Sequence, residues 1–237
     1  MLLSATLAVA LAVQAGAVRP LVPEAFTLEP VAQAAIGAAW LTDEERSDLR
    51  VCHGVWSEAD LGSPHAQAVV ALNAWQLDDP VLTDDAVAPE LRAEALRRRG
   101  ELAEALELME GSDTLAAVRI RAQAFEAMGD YAQASAAVVP AVRTLEGTSL
   151  SDASALTDGV RALAVRARIE GQPARDYRAL MSLLAQAHQR LDRLHWPARL
   201  AEAELLVDKH NIQQAAAALH ETLALNPRSA EAWFALG

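Results

Sequence analysis

Residues 212–237 constrain the fold more than any other stretch of the chain. Ala215, Ala216, Leu219 and Leu223 fall at helical spacing and form one apolar stripe that must be buried against a second element. Asn226-Pro227 stops that helix, because proline disfavours α geometry in the residue before it and has no amide hydrogen to donate. Trp233, Leu236 and Gly237 then open a further helix with the spacing W-x-x-L-G. A helix, a short stop and a second helix make a hairpin, and one hairpin cannot hide its own stripe.

The same punctuation recurs upstream. Gly100-Glu-Leu102-Ala-Glu-Ala105, Gly129-Asp-Tyr131-Ala-Gln-Ala134, Gly171-Gln-Pro173-Ala-Arg-Asp176 and His210-Asn-Ile212-Gln-Gln-Ala215 share one turn pattern. The glycine supplies the left-handed residue that ends a helix. The residue two later is expected to pack into the hairpin, and the small residue five later to let the second helix approach. Seven residues before each turn stand Ala93, Ala122, Ala164 and Ala203, with Gly237 at the matching place of the last unit. Leu96, Phe125, Ala167 and Leu206 follow as packing residues. Counted from 100 to 129 to 171 to 210, the turns are 29, 42 and 39 residues apart. The longer intervals are assigned to a Gly/Ser/Thr-rich loop at 147–157 and to a long helix at about 173–194. No run of alternating β-branched residues competes with the helical pattern, so an all-α fold is expected.

These residues resemble the tetratricopeptide repeat (TPR) family, whose helical hairpin repeats about every 34 residues. The resemblance is best over the last hairpin and the unit around Gly129. It implies antiparallel helical hairpins stacked as a right-handed TPR-like solenoid whose first helices line a concave groove. Such a groove suits a protein or peptide partner. In this register Arg119, Gln123, Glu126, Arg161 and Arg168 face the groove, and the three arginines could receive a carboxylate or stand solvated. The family's asparagine/lysine clamp is not matched: arginine and glutamine replace it, and Val165 stands where an asparagine is wanted. Residues 209–237 are also similar to exported bacterial repeat proteins that carry a zinc metallopeptidase-like domain further along. That alternative makes the chain a scaffold region of a larger enzyme, decided by an HExxH motif beyond residue 237.

Residues 1–17 read as a secretory signal peptide, with an apolar run and Ala15-Gly-Ala17 as a small-x-small cleavage pattern. An uncleaved anchor or a first helix are the competing readings, since no Lys or Arg precedes the run. Export to the periplasm or cell envelope is expected if the segment is cleaved, and a cytoplasmic location otherwise. Residues 18–30, with Pro20, Pro23 and Pro30, read as a linker. Residues 31–85 are expected to be a divergent helical region, and 86–237 the repeats, the last one cut short at Gly237. In the divergent region, Thr42 with Glu45 predicts a capping box, and Ser63-Pro64 opens a helix to about Leu77. Gly54-Val-Trp56-Ser-Glu-Ala59 is a candidate early turn.

A net charge of −12 argues against nucleic acid and anionic membranes as main partners, and insertion of the mature chain in a membrane is not expected. The basic run Arg97-Arg98-Arg99 is expected only to end a helix, where cations complement the dipole. Arginine supplies 19 of the 20 basic residues and alanine is abundant, which suggests a bacterial source. Cys52 and His53 are adjacent, so on a helix they point about 100° apart and make no nucleophile–base pair. His53, His65, His188, His195, His210 and His220 form no HExxH motif or ligand cluster; His188 and His195, seven apart, could share a helix face but lack further ligands and are expected to face solvent. Trp233 is expected in the core, and Trp196 as a staple at a helix start. No catalytic, cofactor-binding or metal-binding residues are assigned.

Overall fold

The computed structural model describes residues 28–147, 150–171 and 174–237, and among them every regular element is helical. The expected signal peptide and nearly all of the expected linker lie outside the described residues.

The first helices are α1 (Pro30–Ile36), α2 (Asp43–Cys52) and α3 (Pro64–Asn73). Thr42 and Glu45 cap α2 reciprocally: Glu45 N donates to Thr42 Oγ1 at 3.2 Å, and Thr42 N donates to Glu45 Oε2 at 2.8 Å. Ser63 caps α3, with Pro64 at its first position. That helix stops at Asn73 rather than Leu77, because Trp75 takes a left-handed φ of 59°. Gly54 is left-handed too, at φ 68°, yet no hairpin helix follows it. Instead a short 3₁₀ turn, Glu58–Asp60, follows, held by the buried Asp60 carboxylate bonded to Arg50, Ser47 and Ser57.

From α4 (Pro89–Arg99) the register holds: α5 (Leu102–Leu108), α6 (Leu115–Met128), α7 (Tyr131–Gly147), α8 (Ala153–Ile169), α9 (Ala174–Gln186), α10 (Trp196–Asp208), α11 (Ile212–Leu225) and α12 (Ala230–Leu236). A π turn, Ala187–Leu191, extends α9. Gly100, Gly129 and Gly171 end helices at φ 85°, 78° and 59°, and His210 does the same work at 57°. Ala93, Ala122, Ala164 and Ala203 are buried, and Leu96, Phe125, Ala167 and Leu206 pack into the adjoining apolar clusters.

Two expectations fail here. Tyr131 and Ile212 are exposed and Leu102 is half-buried, so the residue two after these turns does not pack into the hairpin core, and burial resumes at Ala105, Ala134 and Ala215; Pro173 lies outside the described residues. The loop expected at 147–157 is short, since α7 reaches Gly147 and α8 starts at Ala153. Two helices of 17 residues each take up the extra sequence between those turns.

The helices pair as α4 with α5, α6 with α7, α8 with α9 and α10 with α11. The first members also touch in order: α4 on α6, α6 on α8, α8 on α10. The N-terminal residues then return to the last hairpin. Leu28 and Ala32 join Trp196, Leu200, Leu219, Leu223 and Leu225 in one apolar cluster. Each fully buried leucine there stabilises the fold by about 2 kcal/mol. Glu29 N donates to Ala224 O at 2.8 Å, His53 Nδ1 to Leu225 O at 2.8 Å, and Trp196 Nε1 to Cys52 O at 3.0 Å. Trp196 is therefore a buried tie at the first position of α10, not a staple ahead of it.

Candidate functional site: a charged face on the first helices

Helical spacing places one register position of α4, α6 and α10 on a common side: Glu94, Gln123 and Glu204 each stand six residues before their turn. Arg119 and Arg161 stand ten before theirs and reach across the gaps between helices. Arg119 is buried, its Nη1 donating to Glu94 Oε2 at 2.8 Å and to Gln123 Oε1 at 3.1 Å, its Nε to Asp158 Oδ1 at 2.7 Å. It thereby ties α6 to both α4 and α8. Arg161 Nη2 donates to Glu204 Oε1 at 2.9 Å, tying α8 to α10. Arg168 donates to both oxygens of Glu126, at 2.8 and 2.7 Å, and to Asp208 Oδ2 at 3.1 Å.

The electrostatics follow from this lacing. Burial alone would raise the Glu94 carboxyl, but the charges of Arg119, Arg97 and Arg98 prevail and hold it well below the usual carboxylate range. Burial would likewise lower Arg119; Glu94 and Asp158 outweigh it and raise the guanidinium further. Glu204 goes the other way. Burial pushes its carboxyl up, Arg161 draws it back, and Glu231 adds to the rise. The Glu204 side chain is nonetheless 44% exposed.

The expected groove residues Arg119, Gln123, Glu126, Arg161 and Arg168 thus share one face, on α6 and α8. The arginines are committed to carboxylates of neighbouring helices. What the face offers outward is chiefly acid: the Arg98, Arg119 and Arg161 side chains are 10, 10 and 15% exposed, against 24, 44 and 33% for Glu126, Glu204 and Asp208. Arg168 is the more open arginine, and it is held by two carboxylates.

Several members of the face carry no mark in the sequence reading: Glu94, Asp158, Glu204, Asp208 and Glu231. Tracking position six before each turn through α4 and α10, as for Gln123, would have found Glu94 and Glu204. The run Arg97-Arg98-Arg99 does end α4, but it does more than complement a dipole. Arg97 and Arg98 both bond Glu94, and Arg98 Nη2 reaches Glu231 of α12 at 3.0 Å while its guanidinium lies 5.2 Å from the Trp75 ring centre.

At that end of the face a cavity of about 510 Å³ opens between Trp75, Leu200, Ala230, Phe234 and Ala235, with Glu204 and Glu231 on its wall. Phe234 is 90% exposed and Trp75 48%. Trp233, beside Phe234, packs against the last hairpin's core, with Nε1 donating to Pro227 O at 2.9 Å.

Cys52 and His53 diverge as their adjacency predicts, the thiol exposed and the imidazole buried. His188 does not face solvent: it is buried on the π turn, its Nε2 2.9 Å from Glu202 Oε2. Among the described residues no three His, Cys, Asp or Glu side chains gather as a metal site. No described helix is long and apolar enough to cross a membrane. Comparison of the chain with protein-family models, with curated proteins and with solved structures returned no match.

Proposed function

We propose that the chain is a TPR-like scaffold without catalysis of its own, and that it binds a peptide or an extended protein segment through the face formed by α4, α6, α8 and α10. The carrying observation is the unequal exposure of charge on that face: Glu204 and Asp208 are 44 and 33% exposed against 10 and 15% for Arg119 and Arg161, while the more open Arg168 is held by Glu126 and Asp208. The left-handed residue at each turn and the buried alanine seven before it support a repeated hairpin. The arginines serve as internal clamps between helices, so the ligand's complementary charge is positive rather than a carboxylate. Oppositely charged surfaces steer association and set register more than they set affinity.

Selection of displayed random dodecapeptides on the immobilised 237-residue chain tests this. The expected result is an enriched set with net positive charge that is released at high salt. Asp208→Asn and Glu126→Gln should reduce the enrichment. An absence of enrichment, or enrichment of acidic sequences, contradicts the reading.

A further inference from the structure

The cavity at the α12 end of the charged face differs from the rest of it. Its wall is mainly carbon, contributed by Trp75 after α3, Leu200 on α10, and Ala230, Phe234 and Ala235 on α12. At about 510 Å³ it is large enough for one bulky side chain and its flanking backbone, within the range of roughly 300–1,000 Å³ typical of binding clefts. Two large rings left open to water beside such a hollow form an exposed apolar patch, which marks contact sites far more often than plain surface. Two carboxylates interrupt the carbon. Arg161 engages Glu204 through Oε1 at 2.9 Å and Arg98 engages Glu231 through Oε1 at 3.0 Å, and each carboxylate has a second oxygen with which to meet an incoming donor. The two acids also repel one another, which a cation placed between them would relieve.

We propose that this cavity is the anchor site for a peptide segment in which a large apolar side chain stands next to a lysine or arginine, the first filling the space between Trp75, Leu200 and Phe234 and the second meeting Glu204 and Glu231. The proposal rests on the peptide-binding reading above and locates its strongest contact. Charge complementarity selects this occupant. An anionic lipid or a C-terminal carboxylate would face two acids, and a second copy would bring another chain of net charge −12. The open ring face of Phe234 offers an arginine a stacking surface, as Trp75 already does for Arg98. A large side chain anchored in a pocket is the usual centre of an interaction hot spot.

The test takes a peptide enriched in the selection above and measures its affinity for the 237-residue chain by isothermal titration. Three variants on exposed positions are compared, each checked for a parent-like melting temperature. Ala235→Trp fills the cavity, Phe234→Ala removes one wall, and Glu204→Gln removes one charge. The expected results are a tenfold or greater loss for Ala235→Trp, a several-fold loss for Phe234→Ala, and a several-fold loss for Glu204→Gln that vanishes when the peptide's basic residue is replaced by alanine. A peptide that binds Ala235→Trp as tightly as the parent overturns the anchor site while leaving the peptide-binding reading intact. No enriched peptide at all overturns both. A concentration-dependent dimer of the parent, lost in Phe234→Ala, would assign the cavity to a second copy and overturn the proposal.

Discussion

Oδ1 of Asn226 lies where it would be only 2.3 Å from a Cβ on Gly54. The turn after α2 and the residue that ends α11 therefore share a space that only glycine leaves open. Asn226 is not free to retreat, because its Oδ1 also accepts from Arg228 N at 3.1 Å. Gly54→Ala adds this clash to the strain of a left-handed φ of 68°. The expected loss is about 2–4 kcal/mol, read as a lower urea midpoint. Gly62→Ala is the control, since nothing lies within 4 Å of its added Cβ. Equal midpoints for the two variants would contradict the contact.

Ala134 and Ala203 are fully buried at repeated positions of the hairpins. Replacing either with leucine overpacks a closed interface and should cost about 1–3 kcal/mol. Tyr131→Ala, at an exposed position three residues from Ala134, should stay within about 0.5 kcal/mol of the parent. Chemical denaturation of the three variants checks the register directly, and a reversed order would refute it.

The ion pairs of the charged face are not equivalent. Glu94 is buried among Arg97, Arg98 and Arg119, so Glu94→Ala leaves covered guanidinium groups without their anion and should cost about 3–5 kcal/mol. Glu126 sits at the open end with Arg168, and Glu126→Ala should cost less than about 1 kcal/mol. Raising salt should narrow the second difference and leave the first nearly unchanged. Comparable losses from the two variants would show that the lacing is not graded by burial.

Burial lowers both His53 and His195 below the ordinary value of 6.5. The unfolded chain consequently takes up protons that the folded chain refuses, and stability falls as pH drops below about 6.5 until the folded-state values are passed. Asp60 acts in a separate, more acid window. The hydrogen bond from Arg50 depresses its carboxyl, so its contribution is present above 3.8 and is lost as pH falls below that. Melting temperature followed from pH 7.5 to 5 should decline in the parent and decline less in His195→Gln. Identical slopes would exclude His195 from the effect.

The hairpins were legible because their signals are local. A left-handed glycine, a small residue seven positions earlier and a stripe at helical spacing all lie within one turn-to-turn interval. Even His210 was identifiable from the residues around it, although it is not glycine. That Arg119, Gln123, Glu126, Arg161 and Arg168 share a face likewise follows from register alone. Their ion-pair partners were out of reach for a different reason: Arg119 meets Asp158 39 positions away and Arg161 meets Glu204 43 away, pairings that depend on how the helices are set against each other. Trp75 and Phe234 share a cavity despite the length of chain between them, and no periodicity links them. The exposed Tyr131 and Ile212 show the limit of pattern, since a hydrophobic residue beside a turn can point either way.

The bonds from His53 to Leu225 and from Trp196 to Cys52 span 172 and 144 positions. Hairpins can form as soon as their own residues leave the ribosome, but this seam has to wait for α10 and α11 to emerge. Until α10 and α11 have emerged, Leu28 and Ala32 lack the leucines that cover them in the folded chain. Refolding should show the same order, with rapid gain of helix followed by a slower step in which Trp196 becomes shielded from water.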